Sequence, residues 1–199
     1  FLQLYTSGTT GFPKGAMLTH RGLAALAAGV AADTEMTAGD VVQVAMPLFH
    51  VGGMSWALLA LSCGATIRIL RTPDPAAVLD DLADGITHTF VVPALLAAMV
   101  RVPGERRFPA LRLVVYGASP MPLPVLRACL ALFPGRMAQV YGMTEASGAV
   151  TSLSVADHED PAATHRLVSA GRPIAGVEIE IRPDEFLALV SCKAVPLEW

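Results

Sequence analysis

Short apolar runs alternate along this chain with longer stretches rich in Ala and Leu. The runs that read as strands are Leu2 to Tyr5, Val41 to Met46, Ala65 to Leu70, Thr87 to Val92, Leu111 to Tyr116 and Met137 to Tyr141. Between them, His20 to Asp33, Met54 to Ser62, Pro75 to Ala83, Pro93 to Arg101 and Pro122 to Phe133 read as helices. Several of these helices open with proline in the first turn, where its missing N–H costs nothing. The strand runs are continuously apolar rather than alternating, which predicts burial on both faces of a parallel sheet. The expected fold is therefore α/β, a doubly wound and mostly parallel sheet with flanking helices. In such sheets ligands bind beyond the carboxyl ends of the strands, and the unusual loops lie there.

One stretch tests this reading. Val41 to Ile67 contains no Asp, Glu, Lys or Arg and is long enough for a bilayer span, which needs roughly 20 apolar residues. Pro47, His50 and Gly52-Gly53 sit near its middle, where a lone spanning helix would leave backbone groups unsatisfied. It reads better as strand, loop (Pro47 to Gly53) and buried helix. Composition agrees: 53% of the residues are hydrophobic and mean hydropathy is +0.53, too apolar for disorder. A formal net charge of −3 offers no basic surplus for nucleic acid. Cys63, Cys129 and Cys192 are far apart with no CxxC spacing, as expected of reduced, buried thiols in a cytoplasmic protein. The histidines form no metal pattern, and neither Ser119 nor Ser147 completes a GxSxG nucleophile elbow.

The strongest local signal follows the first strand: Tyr5-Thr6-Ser7-Gly8-Thr9-Thr10-Gly11-Phe12-Pro13-Lys14-Gly15. Glycines let backbone N–H groups turn toward an anion, the hydroxyls of Thr6, Ser7, Thr9 and Thr10 add donors, and Lys14 supplies a point charge. That chemistry suits a polyphosphate. The Gly-Lys-Ser/Thr ending of a Walker A loop is absent.

These eleven residues resemble the phosphate-binding signature of the AMP-forming adenylating enzymes, which include acyl-CoA synthetases, luciferases and peptide-synthetase adenylation domains. Three further segments match in the family's order: Pro47 to Gly53, Tyr116 to Pro122, and Gln139-Val140-Tyr141-Gly142-Met143-Thr144-Glu145. Gly171-Arg172-Pro173 and Val177 to Ile181 look like the start of the next block. The resemblance implies ATP or AMP as ligand, magnesium, and CoA as co-substrate. It assigns Thr6, Ser7, Gly8, Thr9, Thr10, Gly11 and Lys14 to the phosphates, and Gly117, Ala118 and Ser119 to adenine and acyl group. Gln139, Tyr141, Gly142 and Met143 fall to the nucleotide, with Tyr141 stacked on adenine. Thr144 contacts the α-phosphate, Glu145 places magnesium, and His50 stands beside the acyl pocket. Taken singly, Tyr141 reads equally as a buried strand-end tyrosine. Glu145 alone reads as a helix-start acid, and His50 as a structural histidine.

The implied reaction joins a carboxylate, best a fatty acid, to AMP and then to a thiol. No partner nucleic acid and no transmembrane segment is expected, although contact with a membrane surface stays compatible with it. The family's later Thr-Gly-Asp motif and its small C-terminal domain with a catalytic lysine are not found. Lys193, in the tail, receives no role. Residues 1–181 are expected to form a partial adenylation domain and 182–199 an unmatched tail, truncated or frameshifted. The chain is then an incomplete, catalytically deficient piece of such an enzyme. A non-catalytic nucleotide-binding module, or an adenylation domain for another carboxylate acceptor, are the alternatives.

Overall fold

The computed structural model describes residues 1–7, 11–180 and 189–191. The chain opens with a hairpin of β1 (Leu2–Thr6) and β2 (Lys14–Leu18), antiparallel and separate from the main sheet. The first apolar run is therefore not a buried inner strand. Leu4 and Leu18 turn inward onto Leu23, while Tyr5 is 70% exposed. Two strands of one hairpin have only one face to bury, which is why no longer run of apolar residues was needed here. α1 (His20–Thr34) follows, and the Thr19 hydroxyl accepts from the Gly22 N–H at its start.

Next come β3 (Val41–Val44), α2 (Val51–Ser62), β4 (Thr66–Ile69), α3 (Pro75–Ala83), β5 (His88–Val91), α4 (Pro93–Met99), β6 (Leu113–Gly117), α5 (Leu123–Leu132) and β7 (Met137–Met143). α2 begins three residues earlier than its apolar pattern predicts, so Gly52 and Gly53 lie in its first turn. Gly53 is confined there, because a Cβ on it would strike the Pro47 carbonyl. After β7 a 3₁₀ turn (Thr144–Ala146) leads to β8 (Gly148–Leu153), α6 (Val155–Glu159), a 3₁₀ segment (Pro161–Val168), β9 (Arg172–Pro173) and β10 (Glu178–Glu180), which pairs with β11 (Leu189–Ser191).

The main sheet has seven strands in the order β4-β3-β5-β6-β7-β8-β9. Pairings from β4 through β7 are parallel, and β7–β8 and β8–β9 are antiparallel. The architecture is α/β with a mainly parallel central sheet, as expected. Successive residues of β6 alternate between two cores. Val114 and Tyr116 pack with α3, α4 and α5, whereas Leu113 and Val115 pack with α1 and α2. Helices on both faces explain why β5 and β6 are buried at every position. Among the described residues no helix is long and apolar enough to cross a membrane. Val41 to Ile67 is strand, loop, helix and strand.

Candidate functional site

The carboxyl ends of β6 and β7 build the site. Gly117 closes β6 against β7 so tightly that a Cβ would meet the Val140 carbonyl. Ala118 follows with φ of 68°, a left-handed conformation that costs an L-residue about 1–3 kcal/mol. The sharp turn carries Ala118 and Ser119 out to solvent. On the neighbouring strand, Gly142 marks a register shift in the β7–β8 pairing, and a Cβ there would run into the Gly148 carbonyl. Beyond it the chain makes one 3₁₀ turn, Thr144-Glu145-Ala146, and leaves through Ser147 at φ 68°. Tyr141 and Met143 are 44% and 40% exposed at this edge. Tyr141 thus presents its ring to the outside rather than ending a strand in the core.

The hairpin meets this turn. The Thr6 hydroxyl lies 3.5 Å from Glu145 Oε1, across 139 positions of sequence. Thr6 is also paired with Lys14, the last pair before the hairpin's connecting loop, and Ser7, Gly11 and Lys14 on that side are all exposed. Gly8, Thr9 and Thr10 fall outside the described residues. Glu145 is a lone carboxylate: among the described residues no cluster of His, Cys, Asp and Glu could hold a metal unaided. That donor set fits magnesium, which keeps its waters and takes one or two carboxylates plus phosphate oxygens. Half-buried Thr6, exposed Ser7 and Lys14 offer the hydroxyls and the cation that a polyphosphate needs.

Below the turn lies an apolar cavity of about 100 Å³, bounded by α1, α2 and strands β5 to β8. Ala118, Gly142 and Gly148 stand among its lining residues, as do Val51 and Gly52 at the start of α2. His50 caps that helix through its backbone only, its side chain exposed and its ring 4.6 Å from that of Phe49. The sequence pattern missed most of this cavity. Leu26, Ala27, Ser55, Trp56 and Phe90 look like ordinary core residues, and only the folding of α1 across α2 brings them together.

Gln139 is placed differently from its neighbours in the motif. Its side chain turns to the Tyr116 hydroxyl at 3.1 Å, on the face of the sheet away from the cavity. The same hydroxyl lies 2.9 Å from His158 Nε2, while His158 Nδ1 meets the Ser154 carbonyl at 2.7 Å. Burial holds His158 below its usual pKa and outweighs the opposing pull of the Ser154 carbonyl. Burial also pushes the Cys129 thiol up to about 11, which makes it an inert core group.

Comparison with known proteins agrees with this fold. The model of the AMP-binding enzyme family matches residues 2–194. A fatty acid–[acyl-carrier-protein] ligase, ScoC of Streptomyces coeruleorubidus, is 36% identical over 186 residues, which is 90% of this chain and 36% of that protein. Among solved structures, the N-terminal domain of FACL13 from Mycobacterium tuberculosis superimposes with a TM-score of 0.82 at 28% identity, covering 94% of this chain and 46% of the other. O-succinylbenzoate coenzyme A synthetase from Bacillus subtilis, in complex with ATP and magnesium ion, gives 0.80 at 30% identity, covering 98% and 39%. The chain thus spans less than half the length of each of these relatives.

Proposed function

Since this chain belongs to the AMP-binding enzyme family, we propose that its site activates a carboxylic acid with ATP. The carboxylate oxygen attacks the α-phosphorus, the bond to pyrophosphate breaks, and the mixed anhydride that results can pass its acyl group to a thiol such as that of CoA. Activation is required because a carboxylate is a poor electrophile until it carries a good leaving group. Displacement at phosphorus depends mainly on positioning and charge neutralisation.

The observation that carries this reading is the meeting of Thr6 with Glu145 above an apolar cavity. Residues Thr6 to Lys14 would hold the departing phosphates, with Lys14 neutralising charge. Glu145 would hold magnesium beside them, and that ion supplies charge neutralisation when bound. Thr144 would contact the α-phosphate, and the exposed ring of Tyr141 would lie on adenine. Ala118 and Ser119 would flank base and acyl group, and His50 would shape acyl and thiol access. The apolar lining supports a hydrocarbon tail, hence a fatty acid. The ScoC and O-succinylbenzoate relatives bracket the alternatives, a carrier-protein thiol as acceptor and an aromatic acid as substrate.

ATP–pyrophosphate exchange with a panel of carboxylates tests the reading, alongside thermal stabilisation by ATP and magnesium. A stabilisation that Lys14→Ala abolishes is the expected result; a wild-type chain indifferent to ATP and its analogues would refute it. Stabilisation without exchange would favour the binding-only module.

A further inference from the structure

Building on the carboxylate-activating reading, we propose that the cavity between α1 and α2 selects a short, uncharged aliphatic tail of ~four carbons, with Trp56 and Phe90 as the floor that sets its length. Length follows from volume. An apolar cavity of about 150 Å³ accommodates one benzene, and this one measures about 100 Å³. The floor resists enlargement. Trp56 and Phe90 are 5% and 6% exposed, with ring centroids 6.1 Å apart, inside a core shared with Val42, Val44 and Val115. The Trp56 indole N–H donates to the Gln43 carbonyl at 3.1 Å, on a residue that is itself fully buried. To swing the indole aside would break that bond within a close-packed core.

Charge selection follows from the lining. None of its side chains is ionisable, and its polar groups are the Ser55 hydroxyl and the already engaged indole. A second carboxylate on the tail would lose its water and find no cation. The orientation is also set. Ala118, Gly142 and Gly148 belong to the turns that carry the nucleotide residues, so the activated carboxyl group lies at that end and the tail points toward Trp56.

Calorimetric titration of the purified chain decides the matter, with sulfamoyladenosine and its butyryl, palmitoyl and 2-succinylbenzoyl derivatives as probes. Buried methylene groups predict that the butyryl compound binds about thirtyfold tighter than the tail-free one. The palmitoyl and 2-succinylbenzoyl compounds should gain nothing. Either of them binding as tightly as the butyryl compound overturns the proposal. Binding of the adenosine head with no tail preference also overturns it and leaves the adenylating reading standing. Failure of every probe, the tail-free one included, brings down both. Ala27→Leu, on the α1 wall, fills the cavity with a residue that helices favour, and the butyryl-to-tail-free affinity ratio should fall to about one. An undiminished ratio in this variant places the tail elsewhere and refutes the assignment. Trp56→Leu should shift the preference toward an octanoyl tail, with near-ultraviolet circular dichroism to verify folding; a folded variant that keeps the butyryl preference counts against the floor.

Discussion

At Gly142 a methyl group has no room. A Cβ would overlap the Gly148 carbonyl and approach Ala149 Cα to 2.7 Å, both backbone atoms that cannot rotate away. Gly142→Ala must therefore displace β7 from β8 where Tyr141 and Glu145 emerge. We expect at least a tenfold loss of AMP affinity, about 1.4 kcal/mol, with a far-ultraviolet spectrum close to wild type; calorimetric titration checks it. Tyr116 makes a different case. Its hydroxyl stands between Gln139 and His158, and Tyr116→Phe leaves the His158 ring nitrogen buried without its partner. That should lower stability by about 1–3 kcal/mol in urea unfolding. A variant as stable as wild type would show that water replaces the hydroxyl. The loop before Lys14 and the turn after β7 stood out by the order of their residue types, whereas Glu145 taken singly reads as a helix-start acid. The placement of Gln139 was not legible, since a glutamine in an apolar strand looks the same whether it faces a ligand or a buried tyrosine.

Among the elements, β6 was readable because burial on both faces leaves a continuous apolar run, and β3 and β5 because Gln43, His88 and Thr89 interrupt theirs without imposing a regular apolar–polar alternation. β2 (Lys-Gly-Ala-Met-Leu) and β8 (Gly-Ala-Val-Thr-Ser-Leu) were not, because each continues a Gly- and Thr-rich motif and pairs antiparallel, with a partner that sequence alone does not name. The amino ends of the strands, opposite the site, hold a polar cluster that no motif announced. Asp40 is 4% exposed, accepts from the Thr37 N–H and hydroxyl at 2.8 Å, and pairs with Arg112 at 3.0 Å, tying β3 to β6. Burial alone would raise its pKa; the Thr37 hydrogen bonds, a Thr87 hydroxyl and His88 more than offset this and hold it at about 2, below the ordinary 3.8. A depressed carboxylate stabilises the fold fully above the unfolded value and loses that contribution as pH falls through the folded one. Asp40 should therefore contribute about 2 kcal/mol that disappears between pH 4 and 2. Urea unfolding across that range, wild type against Asp40→Asn, measures it. If the two stability curves run parallel, Asp40 is not the group responsible.

For the whole molecule, the feature to weigh is where apolar surface remains uncovered. The inner face of the β1–β2 hairpin is held by Leu4 and Leu18 on Leu23, but its outer face carries Tyr5 and Met17, which is 84% exposed, and Phe12 at the tip is 80% exposed. Phe1 adds a further exposed ring beside the hairpin at 68%. Among the described residues both hairpin strands also have an unpaired edge, since neither joins the seven-stranded sheet. Exposed edges and contiguous apolar surface are the two features that drive self-association of soluble chains. The hydropathy that first raised the possibility of a membrane span is thus mostly spent in buried clusters, and part of the remainder lies on one small hairpin. Sedimentation velocity should accordingly show mass-dependent association of this chain at micromolar concentration. Met17→Lys, which adds a charge on the outer face without touching the Leu4–Leu18 packing, should shift the distribution toward monomer. Tyr5 pairs with Gly15 on that same face, so Tyr5→Lys should act in the same direction, and the two substitutions together should exceed either alone. If the double variant associates as strongly as the wild type, the contact lies elsewhere, and the exposed Phe49 beside His50 is the next surface to substitute.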